Sequence, residues 1–183
     1  MQILEFYYEN IIKQDLLNKF LYNNIKNIPI LKKIILNFGC NNHNIKNISS
    51  ALLSLELISD KYGRLTKTKS SNIFLKIRGG APVGCYVVLK KKHMYKFLFK
   101  LLVEIFPKIK DFKGFYLNIK TNVTNNFSFY IEDLITIKEL NDHFYFFNNL
   151  PSLNITIVSN TKTKTEFLYL LKSFKIPIVL IKK

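Results

Sequence analysis

The sequence predicts an α+β fold, with a mostly antiparallel sheet of about five strands and helices packed on one face. Segments with apolar residues at helical spacing alternate along the chain with short segments typical of strands. Several of these strands look half-exposed, as antiparallel strands often are. The chain has 183 residues, 48% of them hydrophobic, and no repeat or linker divides it. A single domain over residues 1–183 is therefore expected.

The first half of the chain contains two predicted helices and two predicted strands. Residues 2–22 and 45–60 place apolar residues on one helical face. Residues 30–38 are a predicted strand, and residues 83–89 have the apolar character of a buried one. Between these strands, residues 64–78 are polar, basic and rich in Ser and Thr, which predicts only short pieces of strand.

The second half continues the alternation of helices and strands. Residues 94–105 are apolar on one side and predict a helix that Pro107 ends. Residues 115–131 have a mixed pattern. Residues 153–159 alternate as a strand does, and residues 162–174 predict a last helix.

The charge of the chain favours a polyanionic partner. Lys and Arg number 28 against 12 acidic residues, for a net charge of +16. No acidic residue occurs between Asp60 and Glu104, whereas a protein that uses charge only for solubility interleaves the two signs. Nucleic acid is the expected partner because phosphate contacts dominate such binding, and a solvated lysine-rich surface is the alternative. The basic residues of this stretch are Lys61, Arg64, Lys67, Lys69, Lys76, Arg78, Lys90, Lys91, Lys92, Lys96 and Lys100.

Two neighbouring segments in this stretch suit contacts with RNA. The hydroxyl, amide and ammonium groups of residues 66–72 can donate to phosphate or ribose oxygens, although an ordinary surface loop has similar residues. Gly79, Gly80, Pro82 and Gly84 follow, and they predict either a loop that approaches another backbone closely or an ordinary hairpin connection. Phe97 is expected in the core, and Phe74 is left open between core packing and base stacking.

The residues that enzymes use are not arranged for catalysis here. His43, His93 and His143 are far apart and have no carboxylate or cysteine at metal-ligand spacing, so no metal is expected. Residues 79–84 lack the Lys and Ser or Thr of a phosphate-binding loop, and they do not match the dinucleotide fingerprint. Cys85 lies in an apolar strand, where packing is its expected role. We expect neither a cofactor nor an enzyme.

Compartment and membrane association are also constrained. No apolar run reaches the roughly 20 residues that a membrane-spanning helix needs, and the start has no features of a signal peptide. Cys40 and Cys85 form no CxxC pair, which favours a reducing compartment. Frequent Lys, Asn, Ile and Phe, with only two arginines, suggest an AT-rich genome such as that of an organelle. Lys90, Lys91 and Lys92 beside an apolar helix keep open a role at an anionic membrane surface.

Several ordered blocks resemble the family of universal large-subunit ribosomal protein number five, over about residues 6–178. The strongest block is residues 66–85, with Thr-Lys at its start and Phe-Leu-Lys-Ile-Arg-Gly-Gly-Ala-Pro-Val-Gly-Cys at its end. Residues 107–114 resemble the family segment P-R-I-R-D-F-R-G. Residues 22–39 resemble its first strand and approach, and residues 153–157 its last strand.

The resemblance implies a structural constituent of the large ribosomal subunit, without chemistry of its own. It implies binding to 5S rRNA, large-subunit rRNA or both in the central protuberance, beside neighbouring large-subunit proteins. It also implies a loop near P-site tRNA and a bridge to the small-subunit head protein number thirteen. A basic membrane-surface protein and an RNA-modifying enzyme without a recognisable motif remain alternatives. The expected location is an organelle, most of all the mitochondrial matrix, with a plastid or the bacterial cytoplasm as alternatives.

The resemblance and the charge pattern together indicate three groups of candidate residues. The expected rRNA contacts are Asn37, Lys61, Arg64, Thr66, Lys67, Lys69, Ser70, Lys76 and Arg78. The expected tRNA-proximal loop contains Gly79, Gly80, Pro82 and Gly84. An additional basic surface is expected from Lys90, Lys91, Lys92, Lys108, Lys110 and Lys113.

Overall fold

The structure is a computed structural model that describes residues 3–40, 45–71, 73–74, 77–110, 112–118 and 125–181. Its α-helices are α1 (Ile3–Tyr7), α2 (Lys13–Lys19), α3 (Ile45–Ser59), α4 (Lys91–Lys100), α5 (Lys138–Asn141), α6 (Phe144–Phe147) and α7 (Lys164–Ser173). Its strands are β1 (Leu31–Gly39), β2 (Arg64–Lys67), β3 (Pro82–Leu89), β4 (Phe115–Asn118), β5 (Asn126–Ile131), β6 (Leu153–Ser159) and β7 (Ile178–Ile181). Among the helices in these ranges, none has the length and apolar character that crossing a bilayer requires.

Five of the strands form an antiparallel sheet in the order β2-β3-β1-β6-β5. A separate pair, β4 and β7, is parallel. The predicted α+β class with a five-stranded antiparallel sheet is confirmed. The sequence pattern did not predict β7 or the short helices α5 and α6, because each has only four residues and a period needs a longer segment to be visible.

The chain forms two compact units, and the expectation of a single domain stays a prediction. The first unit contains residues 1–34, 90–129 and 156–183. In it, Tyr8 and Phe174 stack with ring centroids 6.1 Å apart, and the Tyr8 hydroxyl donates to the Pro29 carbonyl at 2.8 Å. Burial, with a smaller contribution from Glu9, raises the pKa of Tyr8 to about 12, so its hydroxyl remains a donor. Helix α7 begins at Thr163 with a capping box.

The second unit contains residues 35–89 and 130–155, and helix α3 packs on strand β3 within it. Ala51, Leu55 and Ile58 recur at helical spacing and form the buried side of α3. The chain then turns at Gly63, where a Cβ atom would lie only 2.5 Å from Leu52 Cδ1. The close packing of α3 on this turn positions the start of β2.

Candidate nucleic-acid interface

The basic hairpin consists of β2, β3 and the connecting residues 68–81. β2 is an edge strand of the sheet and pairs antiparallel with β3, with Arg64 opposite Tyr86 and Thr66 opposite Gly84. The register shifts between Thr66 and Lys67, which marks a bulge or irregularity. Such irregularities bend an edge strand and re-aim its side chains. The hairpin therefore presents its polar residues at the border of the sheet.

Hydrogen bonds close the base of the connecting loop. The Thr68 amide donates to the Ala81 carbonyl at 3.0 Å, and the Thr68 hydroxyl donates to the Arg78 carbonyl at 2.8 Å. Residues 78–81 form a turn in which the Ala81 amide donates to the Arg78 carbonyl at 3.2 Å. Gly80 occupies the third position of this turn with φ of 82°, the conformation that a type II turn requires there. Glycine adopts it without steric cost.

The structure corrects the expected extent of the glycine loop. Gly79 and Gly80 are exposed in the turn, but Pro82 and Gly84 lie within β3, where Gly84 is buried. A Cβ atom on Gly84 would collide with the Phe38 carbonyl oxygen of β1 and lie 3.0 Å from Thr66 Oγ1. Gly84 is therefore required by close strand packing and does not shape the exposed loop. The sequence pattern alone did not separate these two uses of glycine.

The cationic cluster consists of Arg64, Lys67, Lys69 and Arg78, all on the basic hairpin. All four side chains are exposed. Within the described ranges, none of the four has an ion-pair or side-chain hydrogen-bond partner. An ammonium or guanidinium group without a carboxylate partner stays available to an external anion. Lys76, another expected rRNA contact, lies outside the described residues.

Two other expected contacts border the cluster. Lys61 donates from Nζ to the Val88 carbonyl at 2.9 Å, so one of its three N–H groups holds the backbone of β3. The other two N–H groups of this exposed side chain are free for an anion. Ser70 is exposed in the connecting loop, beside Lys69. The structure therefore places Lys61 at one end of the hairpin and Ser70 in the loop at the other.

Asn37 belongs to the open sheet face, which we define as Asn37, Thr66, Tyr86 and Val88. Asn37 is half-buried and alternates along β1 with the fully buried Leu36 and Phe38. Tyr86 and Val88 are likewise half-buried and alternate along β3 with buried residues. Because side chains alternate between the faces of a sheet, these half-buried residues lie away from the core. This face offers an amide, two hydroxyls and an aromatic ring.

The connecting loop exposes apolar side chains as well as cations. Phe74 is 98% exposed, and the neighbouring Ile73 is exposed too. The open question about Phe74 is thus answered, because it does not pack in the core. Phe97, by contrast, is buried as predicted. An exposed aromatic ring between cations is suited to stacking on a base or on another planar group.

The additional basic surface belongs to the first unit. Lys90, Lys91 and Lys92 are exposed at the start of α4, whose first turn has no acidic residue. This is the reverse of the usual preference, because the helix dipole disfavours cations at a helix N-terminus. Lys108, Lys110 and Lys113 are also exposed.

The cysteines next to the interface are buried and unreactive. Cys40 and Cys85 are free thiols, and the Cys40 amide donates to the Val83 carbonyl at 2.9 Å. Burial, with a smaller contribution from Cys40, raises the pKa of Cys85 to about 12, so the thiol stays neutral at physiological pH. Across the described residues, no group of three or more His, Cys, Asp or Glu side chains is placed to hold a metal ion.

Comparison with known proteins identifies the family to which this arrangement belongs. A family model for the C-terminus of the ribosomal protein family numbered five matches residues 82–178. Large ribosomal subunit protein uL5m of Reclinomonas americana is 39% identical over 180 residues, which cover 97% of this chain and 98% of the relative. The chain belongs to the uL5 family. Large ribosomal subunit protein uL5 of Geobacter sulfurreducens is 33% identical, covering 96% of this chain and 97% of the relative. Large ribosomal subunit protein uL5c of Chara vulgaris is 34% identical, with corresponding coverage of 96% and 92%.

Membership in the uL5 family makes this chain a structural constituent of the large ribosomal subunit. The relatives align over nearly the full length of the chain, so the basic hairpin and the α3 region lie inside the shared sequence. The resemblance seen in the sequence blocks is thereby confirmed.

The turn of the basic hairpin allows a direct test in this uL5 family member. Gly80→Ala is expected to destabilise the protein by about 1 kcal/mol, because alanine is strained at positive φ. Urea denaturation followed by circular dichroism measures the change. Gly79→Ala is the matched control, since a Cβ atom there would have no neighbour closer than 3.7 Å and φ is not positive. Equal stabilities of the two variants would contradict the turn assignment.

Sequence reasoning missed one surface of this uL5 family member. Tyr145 and Phe146 are exposed in α6. The signal was present as an aromatic run at residues 144–147 that fits neither a buried helical face nor an alternating strand.

Proposed function

We propose that the chain binds rRNA in the central protuberance of the large subunit, through the cationic cluster and the open sheet face. The RNA is 5S rRNA, large-subunit rRNA or both. The cations contact phosphates, which position the RNA, and the amide and hydroxyl groups of Asn37, Thr66 and Tyr86 contact ribose or base edges. Lys61 and Ser70 extend this contact, and the exposed lysines of the first unit provide further phosphate contacts.

The observation that carries this proposal is the presence of four exposed, unpaired cations, among the described residues, in a stretch that has no acidic residue. Clustered like charges repel each other, and a polyanion removes that cost. Counterion release from the RNA adds a favourable entropy when phosphates are neutralised. A surface used only for solubility would gain nothing from the absence of acids.

The connecting loop supports a second part of the proposal, contact with P-site tRNA. Its turn at Gly79 and Gly80 is exposed, and the backbone there is free for close approach. Phe74 provides a planar group at the same loop. A bridge to the small-subunit head protein number thirteen and contacts with neighbouring large-subunit proteins complete the proposal, and they rest on the family relationship.

We place this function in an organelle, with the mitochondrion first. The relatives include mitochondrial, bacterial and chloroplast proteins, among them uL5m of Reclinomonas americana. The composition, with many Lys, Asn, Ile and Phe residues, supports an AT-rich organellar genome. Fluorescent tagging of the protein in its host, with a matrix marker, tests the location.

Binding of the full chain to deproteinised large-subunit RNA is expected to weaken steeply with salt. If the four cations of the cluster each contact a phosphate, the slope of log affinity against log salt is about −3 between roughly 50 and 200 mM salt. Filter binding measures it. Lys67→Gln should reduce the magnitude of the slope by about one. Lys172→Gln, at an exposed lysine of α7, is the control and should leave the slope unchanged. A flat salt dependence would refute the electrostatic part of the proposal.

A further inference from the structure

A groove lies between α3 and α6, and both helices belong to the second unit. It has a volume of about 390 Å³. Lys46, Ser49, Ser50 and Leu53 of α3 form one wall, and residues 145–149 form the other. Pockets that hold small-molecule-sized groups have volumes of about 300–1,000 Å³, so a nucleotide-sized group has room here. None of these lining residues belongs to the basic hairpin.

The aromatic residues of the groove are unusually exposed. Tyr145 is 95% exposed and Phe146 is 72% exposed, whereas the adjacent Phe147 is buried and anchors α6. Two neighbouring exposed aromatic side chains are costly to leave in water and mark a surface that a partner covers. Their flat faces favour a planar partner, and every nucleobase has such a face.

The polar residues of the groove select the charge of that partner. Lys46 is exposed and has no ion-pair partner in the described ranges. No carboxylate lines the groove, as far as the described residues extend, so an anion meets no repulsion there. The hydroxyls of Ser49 and Ser50 donate to the carbonyls of Lys46 and Asn47, at 2.8 and 3.0 Å. Their oxygens therefore face the groove as acceptors.

The amides of Asn148 and Asn149 complete the lining with both donors and acceptors. An unpaired nucleotide matches this set within one residue, because it combines a planar base, hydrogen-bonding edges and a phosphate. An acidic peptide would supply the negative charge but would not match two exposed aromatic faces as well. The chemistry of the groove therefore favours RNA over a protein segment.

We propose that the α3–α6 groove binds unpaired nucleotides of single-stranded RNA, as a second RNA site apart from the basic hairpin. Tyr145 and Phe146 stack on the bases, Lys46 contacts a phosphate, and the serine and asparagine side chains contact base edges. This site binds RNA even if the basic hairpin has another role.

Oligonucleotide binding by the full chain tests the groove by itself. The background variant carries Arg64→Gln, Lys67→Gln, Lys69→Gln and Arg78→Gln, which removes the charge of the cationic cluster. A fluorescent oligoadenylate of about six nucleotides is the probe, and fluorescence anisotropy measures its affinity. Adding Tyr145→Leu and Phe146→Leu to this background should weaken binding about tenfold or more, because two stacking contacts are lost.

The matched control replaces an exposed phenylalanine and an exposed tyrosine elsewhere, Phe6→Leu with Tyr130→Leu, and should leave the affinity unchanged. Heparin, a polyanion without bases, should bind the aromatic variant and its background equally. Circular dichroism confirms that each variant is folded. Unchanged oligoadenylate affinity after the aromatic substitutions would overturn the proposal, as would an equal loss of heparin binding.

Crosslinking in assembled subunits distinguishes the two classes of occupant. Ultraviolet irradiation of purified large subunits should produce RNA adducts on the peptide that contains Tyr145 and Phe146. Amine-reactive crosslinks from Lys46 to another ribosomal protein, without RNA adducts on that peptide, would identify the groove as a protein-docking surface and overturn the RNA assignment.

Discussion

Reversing the four charges of the cationic cluster is expected to keep the protein out of large ribosomal subunits. Arg64→Glu, Lys67→Glu, Lys69→Glu and Arg78→Glu together should weaken rRNA binding by about 100-fold or more, because like charges brought together in an interface cost several kcal/mol. The four side chains are exposed and have no ion-pair partner among the described residues, so the fold loses no contact. Cosedimentation of the tagged protein with large subunits on sucrose gradients measures incorporation.

The matched control changes the same amount of charge outside the acid-free stretch. Lys26→Glu, Lys138→Glu, Lys162→Glu and Lys172→Glu alter four exposed lysines and should leave most of the protein in the large-subunit fractions. Thermal denaturation of both variants checks that each is folded. Normal cosedimentation of the cluster variant would show that the basic hairpin is not the rRNA-binding surface. Equal loss in both variants would show that net charge matters and position does not.

Gly84→Ala is expected to destabilise the protein by about 3 kcal/mol, the upper range for overpacking of a well-packed interior. The added methyl group would collide with the carbonyl oxygen of Phe38, which is backbone and cannot rotate away. Strands β1 and β3 would have to separate at the site where they pack most closely. Chemical denaturation of the purified protein measures the loss of unfolding free energy.

Gly39→Ala provides the control on the neighbouring strand. A Cβ atom on Gly39 would have no heavy atom within 4 Å, and its φ is not positive, so the substitution should change stability by less than about 1 kcal/mol. If Gly84→Ala were as stable as Gly39→Ala, β1 and β3 would not approach each other as closely as the structure places them. Reduced incorporation of Gly84→Ala into ribosomes should parallel its lost stability.

The long, periodic elements of the fold were predictable from sequence. The predicted strands at residues 83–89 and 153–159 match β3 and β6 to within one residue. The predicted helix at residues 45–60 matches α3 equally well. In each case burial imposes a repeat of about 3.6 or of two residues that the sequence records. Four-residue elements such as β7 show no such repeat, and only their partners in the folded chain define them.

The candidate interface was predictable as a list of residues and not as a surface. The absence of acids between Asp60 and Glu104 indicated the stretch that contains the cationic cluster. The pattern did not show that Lys61 uses one N–H group to hold the Val88 carbonyl. It also did not show that Gly84 is buried, because a glycine required by positive φ and one required by close packing look the same in sequence.

By itself, the sequence determined the class of fold, the positive charge of the surface and the family of the chain. These properties depend on composition, on local periodicity and on ordered blocks, all of which are written along the chain. Only the tertiary structure decided which of the described cations stand unpaired at the edge of the sheet, which glycine packs against β1, and that Tyr145 and Phe146 meet α3 at a groove. Those features depend on distances between residues far apart in sequence, which hydrogen bonding and packing set when the chain folds.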